Sequence, residues 1–145
     1  MERNNAWLTY SAQDMEGLER INSSYKACLD EGKTERECVA VARRMAQEKG
    51  FKDLKDVIRS GEPLKAGDKV YAVCMDKSIL LFHIGRKPLQ EGMNILGAHI
   101  DSPRIDVKQN PLYENEELAY LDTHYYGGIK KNKGGNLPLA LPRGG

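Results

Sequence analysis

Apolar positions recur at spacings of three and four through the first third of the chain. Met15, Leu18, Ile21, Tyr25 and Cys28 form one stripe of a helix predicted over residues 11–31, with Thr9 or Ser11 as its cap and Gly32 as its stop. Thr34 followed by Glu37 is a capping-box pattern, because the hydroxyl can accept an orphan amide while the carboxylate reaches back. It opens a second helix whose buried face is expected from Cys38, Ala42 and Met45. Gly50 stands where a left-handed carboxyl-terminal cap belongs, with Phe51 placed to pack over the last turn.

The pattern then changes period. Residues 69–75 and 78–84 are strand-forming runs around Asp76-Lys77, which predicts a hairpin. Within the second run LLFHI, residues 80–84, predicts a strand with most of its surface covered. After the turn GRKPLQEG, the segment NILGAHI at 94–100 reads as another largely buried strand, stopped by Ser102-Pro103. Weaker strand signals follow at 105–108 and 117–122. From Gly127 onward the chain is rich in glycine and proline, and no later helix is available to cover these strands. An α/β core with helices at its amino-terminal side and nothing after the last strand has an unfinished face. The chain is therefore expected to be a fragment, or to lean on a missing segment or another subunit.

Composition narrows the function classes. A chain of 145 residues, 40% hydrophobic and 30% charged, suits one globular domain. Twenty-two Lys plus Arg oppose 21 Asp plus Glu, a formal +1, whereas a nucleic-acid binder needs a concentrated basic face. The one-signed stretch Lys130, Lys131, Lys133 and Arg143 is interleaved with glycines and reads as a solvated loop. No nucleic-acid partner is expected. Cys28, Cys38 and Cys74 are odd in number and widely spaced, which predicts free thiols in a reducing compartment. The start MERNNAWLTY has no apolar signal region, and no run approaches the roughly 18 apolar residues of a membrane span. A cytoplasmic location without membrane attachment is the expectation.

The segment GAHIDSPRID carries the chemistry. His99 and Asp101 alternate across Ile100, so in an extended strand both side chains point to one face. They precede a Ser-Pro turn at the end of the expected strand, where α/β sheets commonly place ligand sites. A neutral imidazole is a good zinc ligand, and a nearby carboxylate can accept a hydrogen bond from its other ring nitrogen, fixing the tautomer. Gly97 and Ala98 leave room close to the backbone. From the spacing alone, a structural histidine and a turn-capping aspartate are the readier reading.

The run NILGAHIDSPRIDVKQNPLYE, followed by ELAYLDTHYYGGIKK, resembles the M18 family of zinc metalloaminopeptidases, especially its bacterial aminopeptidase I branch. The likeness is strongest over residues 94–131 and extends weakly back to the amino-terminal helices. It implies an α/β fold, part of a mixed-sheet zinc-aminopeptidase catalytic domain with amino-terminal helices. Residues 1–131 would be the amino-terminal portion of that domain, and 132–145 an atypical Gly/Pro-rich tail near the expected insertion of a second domain. The resemblance implies two zinc ions in the complete enzyme, with His99 a ligand of one of them and Asp101 the aspartate that orients it. The remaining family elements (a bridging aspartate, an adjacent glutamate pair, another acidic ligand and a distant histidine) belong to sequence beyond Gly145. The implied reaction is hydrolysis of the first peptide bond of a peptide substrate, in large hollow homo-oligomers, generally dodecamers. NKGGN at 132–136 and the closing PRGG depart from the strand expected there.

Other residues have plainer readings. Glu116-Glu117 precedes the expected bridging aspartate and reads as a solvated loop leading into Leu118. His83 is expected as a core or edge histidine. Asp122, His124 and Tyr126 share one strand face, in ordinary strand packing or lining a pocket or subunit contact. Arg104 and Asp106 suggest a local salt bridge. Ser102 has no positioned base, and GRKPLQEG lacks the ending of a phosphate loop. The alternative to an aminopeptidase is a non-catalytic assembly or interaction module that retains the amino-terminal metallopeptidase fold.

Overall fold

Ser11 and Thr34 each start a helix by the same reciprocal device. The Asp14 amide donates to the Ser11 hydroxyl at 3.2 Å and the Ser11 amide donates to the Asp14 carboxylate at 2.9 Å, opening α1 (Ala12–Glu31). Hydrogen bonds from the Ser11 side chain and amide hold the Asp14 carboxyl below its ordinary range. Thr34 and Glu37 repeat the exchange at 3.3 and 2.9 Å to open α2 (Glu35–Glu48). At the other end of α2 the Gly50 amide donates to the Gln47 carbonyl and the Phe51 amide to that of Ala46, the Schellman pattern. Gly50 sits at φ +80°, where a side chain is strained.

The computed structural model describes residues 5–101 and 103–128, in two compact units, Met1–Ala98 and His99–Gly145. Ser102 and the atypical tail lie outside the described residues. In the first unit β1 (Lys52–Asp53) leads into a third helix, α3 (Leu54–Ser60), that periodicity did not predict. The Asp53 carboxylate accepts from the Lys55 amide at 2.8 Å, and Gly61 at φ +71° ends the helix. β1 pairs in parallel with β2 (Lys69–Cys74), which pairs antiparallel with β3 (Ser78–His83). The sheet is therefore mixed, in the order β1-β2-β3. The hairpin turn centres on Met75-Asp76, both at positive φ, one residue earlier than expected.

α2 packs on β2 and β3, and the core forms there from Val39, Val41, Ala46, Val70 and Tyr71. Val70 is 2% exposed, and burying such a side chain contributes about 2 kcal/mol. The Gln47 amide donates to the Tyr71 hydroxyl at 2.9 Å, so the phenol is satisfied as it enters the core.

Three packing expectations are corrected. The fully buried side chains of α2 are Val39, Val41 and Ala46; Cys38 and Ala42 are half-buried and Met45 is exposed. The apolar row was read correctly as a helix face but one step around from its centre. β3 is an edge strand whose Leu80, Leu81 and Phe82 stay exposed, because α2 packs on it without closing over them and no described strand pairs with its outer edge. His83 ends that edge, exposed. Residues 93–101 form no strand, and Leu96 is 99% exposed. An apolar run becomes a strand only when a neighbouring backbone takes up its hydrogen bonds.

Among the described residues the second unit forms one long hairpin, β4 (Arg104–Asn115) with β5 (Leu118–Tyr126), so both weak strand signals mark strands that run further than expected. Pairing runs from Arg104–Tyr126 to Val107–Thr123 and resumes at Leu112–Leu121. Lys108, Gln109, Asn110 and Pro111 thus face Asp122 alone in an extended bulge, which accommodates a proline that cannot donate to the ladder. Glu116 and Glu117 form the exposed turn, at φ +52° and +63°. That conformation suits Asn-Gly and costs a side-chain-bearing residue about 1 kcal/mol.

Two expected outcomes follow from this packing. Replacing the turn with Glu116→Asn and Glu117→Gly should stabilise the hairpin by about 1 kcal/mol, read as slower amide exchange across β4 and β5; unchanged or faster exchange would contradict the turn assignment. The three cysteines are free thiols. Burial first, then the nearby Glu37 and Glu35 carboxylates and Cys28, push the Cys38 thiol up from its ordinary range. A raised thiol pKa keeps the neutral form to higher pH, so alkylation of Cys38 should begin only in more alkaline buffer than that of exposed Cys74, as mass spectrometry of partially alkylated protein can show.

Candidate functional site

The His99 ring is held from one side. Its Nδ1 lies 3.0 Å from the backbone carbonyl of Asp101 and 3.0 Å from Asp101 Oδ1. Both neighbours are acceptors at neutral pH, so the hydrogen-bond network requires the proton on Nδ1. The Nε2 lone pair is then left unused, on a side chain that is 84% exposed. Two residues expected on one face of a strand do lie on one side. They do so in a stretch without strand pairing, immediately before β4, and the turn back to the Asp101 carbonyl supplies the closeness that strand alternation was expected to give.

Asp101 is held in turn by β5. Tyr126, the last residue of that strand, hydrogen-bonds the Asp101 carboxylate, and this contact, ahead of the backbone and His99, keeps the carboxyl below its ordinary range. Tyr126 faces Arg104 across the hairpin, with the guanidinium carbon 4.4 Å from the ring centroid. Arg104 Nε donates to Asp106 Oδ1 at 2.8 Å, the local salt bridge expected from the sequence. His124 Nε2 stands 3.8 Å from Asp106 Oδ2, and Lys108 Nζ lies 2.9 Å from Asp122. Asp122, His124 and Tyr126 alternate along one face of β5, as predicted; Tyr126 and His124 pair in register with Arg104 and Asp106, and Asp122 meets Lys108 in the bulge. Behind Tyr126, Gly127 at φ +76° passes so close to Pro103 that an added Cβ would lie 3.3 Å from its Cα.

The meeting of Tyr126 with Asp101 was missed by sequence reasoning. No local spacing could reveal it, because it depends on the register of the hairpin; the alternation DTHYY against RID was the available signal. Among the described residues no three His, Cys, Asp or Glu side chains converge on a point that could hold a metal. The open hollow lined by Gln47, Phe51, Asp53, Asp56 and Tyr71 in the first unit contains neither His99 nor Asp101. What His99 offers is one directed nitrogen donor with its tautomer set.

The sequence profile of the family described as Aminopeptidase I zinc metalloprotease (M18) matches residues 28–137, and the chain belongs to that family. The protein named "Probable M18 family aminopeptidase 1" of Clostridium acetobutylicum is 48% identical over 140 residues, a stretch covering 97% of this chain and 30% of the relative. Among solved structures, aminopeptidase I from Borrelia burgdorferi B31 superposes with a TM-score of 0.80 at 36% identity, over 90% of this chain and 31% of that one. An M18 family aminopeptidase structure from Thermotoga maritima gives 0.75 at 40% identity, over 91% and 28%. The chain thus spans about 30% of the length of the relatives it matches. The α/β class, the amino-terminal helices and the mixed sheet agree with that family's catalytic domain.

The tautomer is directly measurable. Long-range proton–nitrogen spectra of the 145-residue protein, recorded where imidazoles are neutral, should show His99 carrying its proton predominantly on Nδ1. A predominance of the Nε2–H form would remove the geometric basis of the site.

Proposed function

We propose that this chain is the amino-terminal part of the catalytic domain of a zinc-dependent aminopeptidase, which removes amino-terminal residues from peptides. Family membership supports the reaction class, and the observation that carries the site is the His99 Nδ1 proton lodged between two Asp101 oxygens. In this reading His99 is a zinc ligand through Nε2. Asp101 holds the ring in the tautomer that frees that nitrogen and makes it a stronger donor. When bound, zinc supplies Lewis acidity toward a carbonyl and toward water. The protein's own contribution from these residues is to present one lone pair at a set angle and to keep the opposite proton engaged. One imidazole fits one position of a tetrahedral shell. The other donors for two zinc ions come, on this reading, from polypeptide outside these 145 residues, as does the general base.

The complete protein is read as a cytoplasmic homo-oligomer acting on peptides. No helix among the described residues is long and apolar enough to cross a membrane. A second reading, a non-catalytic assembly module that keeps the fold, is motivated by the sequence of the tail, where NKGGN at 132–136 and the closing PRGG depart from the family's pattern. The two readings differ in what a longer polypeptide would have to contain: the first requires a glutamate pair and further acidic and histidine donors.

Zinc titration separates them. The 145-residue protein should bind zinc weakly, with the His99 resonances responding first and the response lost in His99→Ala. In the full-length protein two zinc ions per subunit are expected, and Asp101→Ala should weaken zinc affinity roughly 10–100-fold, read by competition with a chelator. Two tightly held zinc ions in the 145-residue protein, or a full-length protein that holds none, would defeat the proposal.

A further inference from the structure

Three sulfur-bearing side chains gather where α1 meets α2. Cys28 Sγ, in the last turn of α1, lies 3.8 Å from Met45 Sδ on α2. Cys38 of α2 reaches the same turn: a Cβ built on Gly32 would lie 2.8 Å from Cys38 Sγ and 3.1 Å from the Cys28 carbonyl oxygen. Cys38 and Met45 are seven residues apart, about two helical turns, and so share a face of α2. A methionine side chain leans back toward the start of its helix, which shortens the gap toward Cys38. Cys28 and Cys38 are free thiols, both half-buried, and Met45 is 41% exposed, so solvent reaches the group. Cysteine and methionine often do no more than fill a helix seam. Here the seam is thin: α1 has no fully buried residue, and the Glu31–Arg44 pair that ties it to α2 at 2.7 Å is a surface pair that contributes little.

We propose that Cys28, Cys38 and Met45 form a site for a soft monovalent metal ion, copper(I) being the ion that fits it. Metal–sulfur bonds of about 2.3 Å at trigonal angles set the sulfurs about 4 Å apart, which matches the 3.8 Å already present between Cys28 and Met45. Two thiolates and a thioether are a donor set that selects copper(I), whereas the usual zinc donors are thiolate, imidazole and carboxylate. Burial first, then the Glu37 and Glu35 carboxylates and Cys28, keep the Cys38 thiol protonated to higher pH than usual; the negative field of those carboxylates also draws a cation. On binding, each thiol gives up its proton to solvent and its sulfur takes the metal, with no change of oxidation state. The ion then joins the last turn of α1 to one face of α2 and supplies the firm tie that the seam lacks. All three residues lie in the first unit, and the proposal does not depend on the reading of His99.

The reduced 145-residue protein, kept anaerobic and titrated with copper(I) against the chelator bicinchoninate, should take up a single tightly held ion. X-ray absorption of that sample should show a metal shell of sulfur alone. In buffer alkaline enough for all three metal-free thiols to react, the bound ion should shield Cys28 and Cys38 from alkylation and leave Cys74 reactive, as mass spectrometry of the wild type reads directly. Amide exchange along α1 should slow on loading. Cys28→Ser and Cys38→Ser should each weaken copper(I) binding roughly 100-fold and Met45→Leu roughly tenfold, with helix content by circular dichroism unchanged. Cys74→Ser should bind as the wild type does. Nitrogen in the metal shell, shielding of Cys74 in step with the other two thiols, or wild-type affinity in any of the three sulfur variants overturns the proposal. Where a variant loses helix content, the alkylation and absorption measurements on the wild type decide alone.

Discussion

One proton sets which nitrogen of His99 is engaged and which carries the free electron pair. An imidazole has two nitrogens and, when neutral, one N–H, so engaging one nitrogen as a donor leaves the other as an electron-pair donor. At His99 the Asp101 carbonyl and carboxylate both face Nδ1, and neither can supply a proton to it at neutral pH. The identity of the free nitrogen is therefore set by the protein before any ligand arrives. Had the Asp101 side chain turned away, the same exposed histidine would have been an undirected surface base.

The second constraint is backbone pairing, which explains why the described structure mixes firm elements with uncovered ones. Helices satisfy their own amides, and α1, α2 and α3 are bounded by caps within a few residues of their ends. Strands depend on neighbours. β2 has one on each side and buries Val70 and Tyr71; β3 has one and leaves Leu80, Leu81 and Phe82 exposed. Residues 93–101 have strand-like composition and no strand pairing. For a chain that spans about 30% of its relatives' length, elements that depend on distant pairing are the ones left uncovered.

This asymmetry also sorts what could be read from the residues alone. Ser11, Thr34-Glu37 and Gly50 act on groups within six positions, and each was legible because its partner is nearby in sequence. Asp53 and Gly61 carried the same kind of signal for α3, and it went unread because the apolar stripe between them is short. The strands were legible as composition, but their coverage was not, since LLFHI and NILGAHI look alike whether or not another strand arrives. At the candidate site, the closeness of His99 and Asp101 was legible from an alternation of two. The reason was partly mistaken: a local turn to the Asp101 carbonyl, and no strand, brings them together. Tyr126 could be placed on a face with His124, yet its link to Asp101 needs the register across β4 and β5, which a bulge at Lys108–Pro111 displaces beyond what alternation can track.

That bulge also bears on why the hairpin holds the site at this end. Pairing is regular from Arg104–Tyr126 through Val107–Thr123, and the irregularity begins only beyond it. The four residues of β4 nearest Asp101 thus form an unbroken ladder, with Arg104 and Asp106 on one face and Ile105 and Val107 on the other. A two-stranded ribbon is marginal by its backbone bonds alone. Here side-chain contacts cross the ribbon at this end, guanidinium against ring and imidazole near carboxylate, while Asp106 pairs with Arg104 along β4 itself. The Glu116-Glu117 turn lies on the far side of the bulge, whereas the Arg104–Tyr126 end of the ladder adjoins the segment that bears Asp101.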